Sequence, residues 1–110
     1  MKVQNMTSSR GNKVANQFII YTESGSVFQS YNSIIAKITD SKKDNNYYAS
    51  VELDKKYWNY SNTTGKYRNI FLNESIKDTK AKIKSGEYKL TDLNSKLVYE
   101  DTVETINLNK

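Results

Sequence analysis

The sequence predicts an α+β fold, in which a small antiparallel β-meander of about three to four strands carries two short helices packed on one face. Three observations support this class. The first half of the chain is rich in β-branched and aromatic residues between turn signals, the second half contains two capped segments with helical periodicity, and 110 residues suffice for one modest core. We therefore expect a polar N-terminal arm at residues 1–16, a single domain at 17–93 and an acidic C-terminal tail at 94–110.

The strands are expected to begin at residue 17, because the residues before it are polar and show no periodicity. The segments "QFIIYT" and "VFQSY" indicate two strands joined by "ESGS", where Gly25 can adopt a positive φ. Residues 30–38 fit a helical stripe and also one face of a strand, and we expect a strand that continues to residue 39. "DSKKDNN" is then expected to form a polar loop, and residues 47–53 a third strand.

Two helices are expected after these strands. "SNTTG" supplies N-cap candidates for the first helix, in which Tyr67, Ile70 and Phe71 share one face. Ser75 is the N-cap of the second helix, which ends before Gly86. "EYKL" and "KLVYEDTVETINL" are candidates for short terminal strands, so the acidic tail has two interpretations, a free extension or an added strand.

The composition excludes several classes of function. The chain contains no cysteine and no histidine. It therefore cannot form a disulfide, a thiolate zinc site or a histidine-based catalytic triad. Glu52 and Asp54 share one expected strand face, but paired acids beside a turn are usually solvated. No apolar segment is long enough to span a membrane. We therefore expect a cytoplasmic protein that is not an enzyme and has no cofactor and no metal.

Positive charge is concentrated in the middle of the chain. The whole sequence has a net charge of +5, from 17 Lys and Arg residues and 12 Asp and Glu residues. Residues 55–89 hold nine of these cations and three of the acids, a difference of +6. Such an uneven distribution indicates an anionic partner for the middle segment. The alternative is that these lysines lie on a solvated helix and bind nothing.

The segment "WNYSNTTGKYRNIFL", residues 58–72, lies where the expected sheet gives way to the first helix. A helix N-terminus has free N–H groups and partial positive charge, so Lys66, Arg68 and nearby hydroxyl groups would suit a phosphate. The alternative is structural: Ser61 or Thr63 caps the helix while Trp58 packs in the core. The two can coexist because they use different atoms. The expected partner-binding or nucleic-acid-binding residues are Lys55, Lys56, Tyr60, Thr63, Thr64, Lys66, Arg68, Lys77, Lys80 and Lys84.

The periodicity of the first helix also predicts where two of these side chains point. Because Tyr67 is expected to face the core, we expect Lys66 and Arg68 on either side of it to face solvent. Replacing both with glutamate should then abolish capture of the partner and leave thermal stability nearly intact.

Four segments, "GNKVANQFII", "VFQSYNSIIAKI", "WNYSNTTGKYRNIFL" and "IKSGEY", together resemble a family of small uncharacterised accessory proteins of phages and prophages. The resemblance covers residues 11–90 and depends on a Phe-x-Ser-Tyr element followed by Trp-x-Tyr-Ser-x-Thr-Thr-x-Lys-Tyr. It leaves out the acidic tail, and it transfers no catalytic role to any residue. It implies an origin in a virus or mobile element, and anti-CRISPR proteins are similar to this chain in kind.

These observations together predict inhibition without catalysis. We expect the chain to bind a bacterial defence ribonucleoprotein in the host cytoplasm, through contacts of its basic helical face with the effector nuclease, its guide RNA or both. The main alternative is a stand-alone binder of RNA or single-stranded nucleic acid, whose affinity would fall steeply with salt. A structural component of a virus particle is a further alternative. No membrane partner is expected, and the oligomeric state is left open.

Overall fold

The structure, a computed structural model, describes residues 1–97. Within that range the chain forms one sheet of six strands together with three helices. The strands are β1 (Lys2–Thr7), β2 (Lys13–Thr22), β3 (Gly25–Ser30), β4 (Ser33–Lys43), β5 (Asn46–Asp54) and β6 (Tyr88–Thr91), and the helices are α1 (Asn62–Leu72), α2 (Ile76–Ser85) and α3 (Leu93–Leu97).

The strands follow one another across the sheet in chain order, from β1 at one edge to β6 at the other. Neighbouring strands are antiparallel except β5 and β6, which are parallel because α1 and α2 return the chain to the end where β5 began. The fold remains α+β, but the predicted antiparallel meander of three to four strands is wrong. The structure has a mixed sheet of six strands, and its edge strands come from segments that are polar or very short.

The polar residues 1–16, which the sequence predicts as a loose arm, form β1 and the beginning of β2 instead. β1 is an edge strand, and Met6 is its one buried residue. A bulge between Asn5 and Thr7 shifts the register with β2, and the Asn5 amide donates to the Val14 carbonyl at 2.8 Å. Because most side chains of this edge strand face water, its sequence shows little hydrophobic periodicity.

The ambiguous residues 30–38 form strand, although not the single continuous strand that the sequence predicts. A tight turn with Tyr31 at φ 57° separates β3 from β4. The register between these two strands shifts at a bulge, and the consecutive β4 residues Ile35 and Ala36 are both fully buried. Buried neighbours of this kind break the strict alternation of a strand, which explains why the segment also fits a helical stripe.

The segment "DSKKDNN" forms the tip of a hairpin, so the prediction of a polar loop there is wrong. Asp44 and Asn45 both have positive φ, 54° and 67°, as a two-residue type I′ turn requires. The ladder between β4 and β5 continues to the pair Lys43 and Asn46. All residues from 40 to 50 are exposed, so this end of the hairpin needs no buried apolar face, and residues 40–46 are all polar.

The core lies between the sheet and the α1–α2 pair. One residue from each of four neighbouring strands forms an apolar row across the sheet: Ile19, Phe28, Ala36 and Leu53. Phe71 of α1 stacks on Phe28 with ring centroids 5.8 Å apart. Tyr67 of α1 and Ile83 of α2 contact the same cluster. Both helices therefore pack on one face of the sheet, as their periodicity predicts.

The helix boundaries agree with the capping signals in the sequence. Ser75 is the N-cap of α2, and its Oγ accepts the backbone N–H of Asp78 at 3.2 Å. Gly86 ends this helix in the left-handed conformation, with φ 88°. Asn73 ends α1 in the same way at φ 56°. These local signals fix the helix ends because they satisfy backbone groups that have no partner inside the helix.

Asp54, the last residue of β5, is 2% exposed, so the expectation of a solvated carboxylate is wrong. Its Oδ2 accepts the backbone N–H groups of Lys56 and Tyr57 at 3.1 and 2.9 Å, and its Oδ1 accepts that of Leu93 at 2.9 Å. Asp54 therefore connects the start of α3 to the turn that leads into α1. This is a structural role, because every bond of the carboxylate goes to the backbone.

The end of the described chain confirms one expectation and leaves another open. "EYKL" contains most of β6, so the short strand predicted there is confirmed. The acidic tail predicted at residues 94–110 begins inside α3, and residues 98–110 lie outside the described part of the chain. Within residues 1–97, none of the helices has the length and apolar character needed to cross a membrane.

Glu74 links α2 and β6 through a partly buried cluster of hydrogen bonds. Its carboxylate accepts from Thr79 Oγ1 at 2.6 Å, from Lys82 Nζ at 2.7 Å and from Tyr88 OH at 2.8 Å. Burial alone would raise the pKa of Glu74, but these hydrogen bonds outweigh it and hold the pKa below its ordinary value. Burial and the hydrogen bond to Glu74 raise the pKa of Tyr88 to about 12.

We expect this cluster to make folding stability depend on pH at both extremes. Glu74, with its lowered pKa, stabilises the fold above the ordinary value of 4.5, and this contribution is lost as the pH falls through the folded-state pKa. Tyr88 has a raised pKa, so its contribution is lost as the pH rises from 10 to about 12. In thermal melts at neutral and acidic pH, Glu74→Gln should lose less stability on acidification than the wild type. Glu87→Gln, the same change at an exposed residue, should lose as much stability on acidification as the wild type. If Glu74→Gln also loses as much as the wild type, Glu74 does not cause the acid dependence.

Candidate functional site

The candidate site forms at the N-terminus of α1. Ser61 is the N-cap, because its Oγ accepts the backbone N–H of Thr64 at 3.1 Å and its carbonyl accepts that of Gly65 at 2.9 Å. The capping interpretation of this segment is therefore confirmed for Ser61. The N–H groups of Asn62 and Thr63 precede the first intrahelical bond, so they and the positive end of the helix dipole stay available to an anion.

Arg68 lies beneath this helix terminus and is only 1% exposed. Its Nη1 donates to the Trp58 carbonyl at 2.8 Å and to Asn59 Oδ1 at 2.9 Å, and its Nη2 donates to Asn69 Oδ1 at 2.9 Å. The expectation that Arg68 faces solvent is wrong. The segment before α1 covers the helix on a second side, so the buried part of α1 is wider than one stripe and includes Arg68.

The positive charge of Arg68 has no bonded carboxylate within the described residues. Its three hydrogen bonds go to one carbonyl and two amide oxygens, and its buried Nε has no partner among those residues. Burial lowers the pKa of Arg68, and the charge of Glu74 acts in the opposite direction. A guanidinium has five N–H donors, so two donors and an uncompensated charge remain.

A cleft of about 570 Å³ opens over Arg68 and the start of α1. Two cations, four amide or hydroxyl side chains, a glycine and two isoleucines line it, with no acidic residue of the described chain: Lys66, Arg68, Asn59, Ser61, Asn62, Asn69, Gly65, Ile70 and Ile76. The lining of the cleft therefore combines cationic and polar groups with apolar side chains. This combination suits an anion that also has a planar or apolar body.

The structure brings two of the ten predicted residues, Lys66 and Arg68, into this cleft. Thr64 lies close by in the chain, but it is fully buried, and its hydroxyl bonds to Ser30 Oγ at 2.9 Å and to Ser61 Oγ at 3.0 Å. Thr64 therefore holds α1 against β3. It does not belong to a binding surface.

Two further predicted residues lie at the surface near the start of α1. Thr63 is exposed in the first turn of the helix. Tyr60 is 46% exposed, and its ring meets that of Tyr57 edge-on at a centroid distance of 5.4 Å. Trp58 is partly buried and packs against the core, which favours the structural interpretation of this tryptophan.

The predicted lysines are all exposed, but the structure does not gather them into one cavity: Lys55, Lys56, Lys66, Lys77, Lys80 and Lys84. Lys55 and Lys56 line a second cavity of about 230 Å³, where Asp54 and Asp92 supply negative charge. Three of the four lysines of α2, Lys77, Lys80 and Lys84, recur at helical spacing and line neither cavity. Within the described residues the one ion pair is Lys82–Glu74, so none of the six predicted lysines has a paired acid there.

The amide and apolar residues of the cleft could not be predicted from the sequence. Asn59 and Asn69 fix the guanidinium, and asparagine is so frequent in this chain that neither position stands out. Ile70 shares the helical spacing of core residues, yet it is 53% exposed at the cleft. No motif connects these positions, since the cleft joins the turn before α1 to the first residue of α2.

A family model described as a family of unknown function (DUF8033) matches residues 1–89, about four-fifths of the chain. The matched region contains α1, α2 and every residue that lines the cleft. No curated protein and no solved structure matches the chain.

Proposed function

We propose that this chain, which belongs to the DUF8033 family of unknown function, is a non-enzymatic protein that binds an RNA-containing partner through its basic helical flank. We define the basic helical flank as Lys66, Lys77, Lys80 and Lys84 together with the cleft over Arg68. The observation that carries the proposal is that these four lysines are exposed and have no ion-pair partner among the described residues. Unpaired surface lysines keep their full charge toward solvent, which favours a polyanion such as RNA.

The specific form of this proposal is inhibition of a bacterial defence ribonucleoprotein. The chain would occupy the effector nuclease, its guide RNA or both in the host cytoplasm, in the manner of an anti-CRISPR protein. The resemblance to phage and prophage accessory proteins supports this form, as does the concentration of positive charge in residues 55–89. A cofactor is not needed, because the inhibitor acts by binding.

Replacing the three exposed lysines of α2 with glutamine is expected to weaken binding to single-stranded RNA and to reduce its salt dependence. Each phosphate contact of a single strand contributes about 0.7 to the slope of log affinity against log salt, so Lys77→Gln, Lys80→Gln and Lys84→Gln together should lower the slope by about 2. The helix should persist, because the three side chains are exposed and glutamine has a helix propensity close to that of lysine. Fluorescence anisotropy titrations at several salt concentrations would measure the slope.

Three exposed lysines on the strands provide a matched control for this triple variant. Lys2, Lys13 and Lys43 lie in β1, β2 and β4, and their replacement with glutamine removes the same total charge. The slope should then stay close to that of the wild type. An equal fall of the slope in both triple variants would mean that net charge alone attracts RNA, and the role of the basic helical flank would be refuted.

A stand-alone RNA-binding protein is the second candidate, because the cleft, which no acidic residue among residues 1–97 lines, could hold a nucleic acid without any protein partner. Affinity capture of the tagged chain from its host, with and without nuclease treatment of the eluate, separates the two candidates. An effector nuclease that stays bound after RNA digestion supports the inhibitor. Loss of every protein after digestion supports the stand-alone binder, and recovery of neither a nuclease nor RNA would count against both.

A further inference from the structure

We infer that the cleft over Arg68 binds the terminal phosphate group of a nucleotide or of an RNA end. This inference rests on the proposed function, because it specifies which part of an RNA partner the cleft takes. Three features of the cleft support it: a buried charge with no bonded carboxylate among the described residues, backbone donors at the start of α1, and two isoleucines in the lining.

The first feature is the guanidinium of Arg68 below the cleft. Proteins rarely bury a charge without an opposite charge in contact, because desolvation of the isolated ion is unfavourable. Arg68 is 1% exposed, and its bonded partners within the described residues are neutral oxygens. A phosphate in the cleft would provide the missing negative charge, and partial burial would strengthen the attraction by lowering the local dielectric constant.

The second feature is the helix terminus beside that charge. The free N–H groups of Asn62 and Thr63 belong to an 11-residue helix, and Ser61 and Asn62 both line the cleft. The Lys66 ammonium adds a further exposed positive charge. Backbone donors at a helix N-terminus with cations alongside form an anion site whose donors are already oriented before the anion binds.

The depth of Arg68 favours a terminal phosphate over an internal one. A phosphate monoester carries nearly two negative charges and three free oxygens at neutral pH. An internal phosphodiester has one charge, and a sugar on each side keeps it away from a buried group. Because Arg68 lines the cleft but is only 1% exposed, a projecting phosphate can approach its guanidinium more closely than an internal one can.

The third feature is the apolar part of the cleft lining. Ile70 is 53% exposed there, and Ile76 from the first turn of α2 lies beside it. A volume of about 570 Å³ is within the range of pockets for small organic ligands, so a phosphate alone would leave most of it empty. A nucleoside attached to the phosphate would fill the remaining space and cover the two isoleucines.

Gly65 lines the cleft next to the guanidinium of Arg68. A Cβ added at this position would lie 3.7 Å from Arg68 Nη2 and 3.8 Å from Arg68 Nη1, which are ordinary contact distances. Alanine would therefore fit without moving the backbone, and it is a better helix former than glycine. Its methyl group would shield the guanidinium, so Gly65→Ala separates loss of the site from loss of the fold.

The experiment compares one single-stranded RNA sequence in three forms: with a 5′-phosphate, with a 3′-phosphate, and with hydroxyl groups at both ends. The wild type should bind one phosphorylated form at least about tenfold more tightly than the hydroxyl form, as expected for charge-assisted hydrogen bonds. Gly65→Ala should bring this ratio close to one while its melting temperature stays equal or rises. Lys66→Gln should lower the ratio, whereas Lys84→Gln, the same change outside the cleft, should leave it unchanged.

A second measurement needs no RNA chain. In nitrogen-15 NMR spectra, a nucleoside monophosphate should shift the Arg68 Nε–H signal of the wild type, and the corresponding nucleoside without phosphate should not. If the monophosphate binds but no RNA does, the inference stands and the proposed function fails. If all RNA forms bind equally and the Arg68 signal does not move, the inference fails and the proposed function stands. A phosphate preference that Gly65→Ala leaves intact would place the phosphate outside this cleft, and no binding of any probe would overturn both.

Discussion

Arg68→Glu is expected to lower the free energy of unfolding by about 3–5 kcal/mol, because it places an uncompensated charge in a buried position. The new carboxylate would be almost fully enclosed and would face the Trp58 carbonyl, an acceptor that cannot become a donor. The side-chain amides of Asn59 and Asn69 can rotate to offer N–H groups to the carboxylate, which limits the loss of stability but does not remove it. Urea denaturation, extrapolated linearly to water, would give the difference from the wild type.

Lys66→Glu is the matched control, since it makes the same charge change two residues away on the exposed side of α1. Its free energy of unfolding should stay within about 0.5 kcal/mol of the wild type, as is usual for surface substitutions. The sequence predicts nearly intact stability for both variants, and the structure supports that prediction only for Lys66. Similar stability of the two variants would mean that the guanidinium is not enclosed in solution.

Gly25→Ala is expected to destabilise the domain by roughly 3 kcal/mol or more, because strain and a steric clash act together. Gly25 begins β3 at φ 153°, a conformation that residues with a side chain rarely adopt. A Cβ added there would lie 1.9 Å from the Ile38 carbonyl oxygen of β4. That oxygen belongs to the backbone of a central strand, so relief of the clash would require the sheet to shift.

Gly11→Ala tests whether this loss comes from the close approach of β4. Gly11 has a positive φ of 82°, but a Cβ added there would meet no atom within 4 Å. Only backbone strain remains in Gly11→Ala, and we expect it to lower the free energy of unfolding by about 1–2 kcal/mol. Chemical denaturation of both variants would measure the difference, and equal losses would argue against the predicted clash at Gly25.

One helix supplies both the core contacts and the candidate site. Tyr67 and Phe71 hold α1 against the sheet, while the other end of the same helix presents free N–H groups to the cleft. Arg68 is held in place by three hydrogen bonds and by the Trp58 ring, 5.3 Å from its centre. A ligand would therefore meet an ordered site, and little binding free energy would be lost in arranging it.

The parts of the fold that local chemistry determines could be predicted from the sequence. The β2–β3 hairpin with Gly25 at a positive φ, the start of α2 at Ser75 and its end before Gly86 are confirmed. Each depends on a turn or cap in which the residue type and the backbone conformation are directly coupled. The segment "DNN" at the tip of the β4–β5 hairpin contains such a turn signal as well. The polar residues before it nevertheless led to the prediction of a loop.

The candidate site could be predicted only in part, because only some of its features depend on residues close together in the chain. The sequence places anion-binding potential at the start of α1, and Lys66 lies in the cleft as an exposed cation. It does not predict that Arg68 is buried, because that depends on how residues 54–61 fold back over α1. It also does not bring Ile76 to the same cleft, since this contact needs the angle between two helices.

The sequence by itself determined the α+β class, the positions of the capped helices and the concentration of cations in residues 55–89, because each follows from side chains close together in the chain. The tertiary structure alone decided that six strands join in one mixed sheet and that a polar N-terminal segment supplies an edge strand. It also decided that Arg68 points inward beneath a cleft that no acidic residue of the described chain lines. These features depend on contacts between segments far apart in the chain. The free energy of such contacts cannot be predicted from any local pattern of residues.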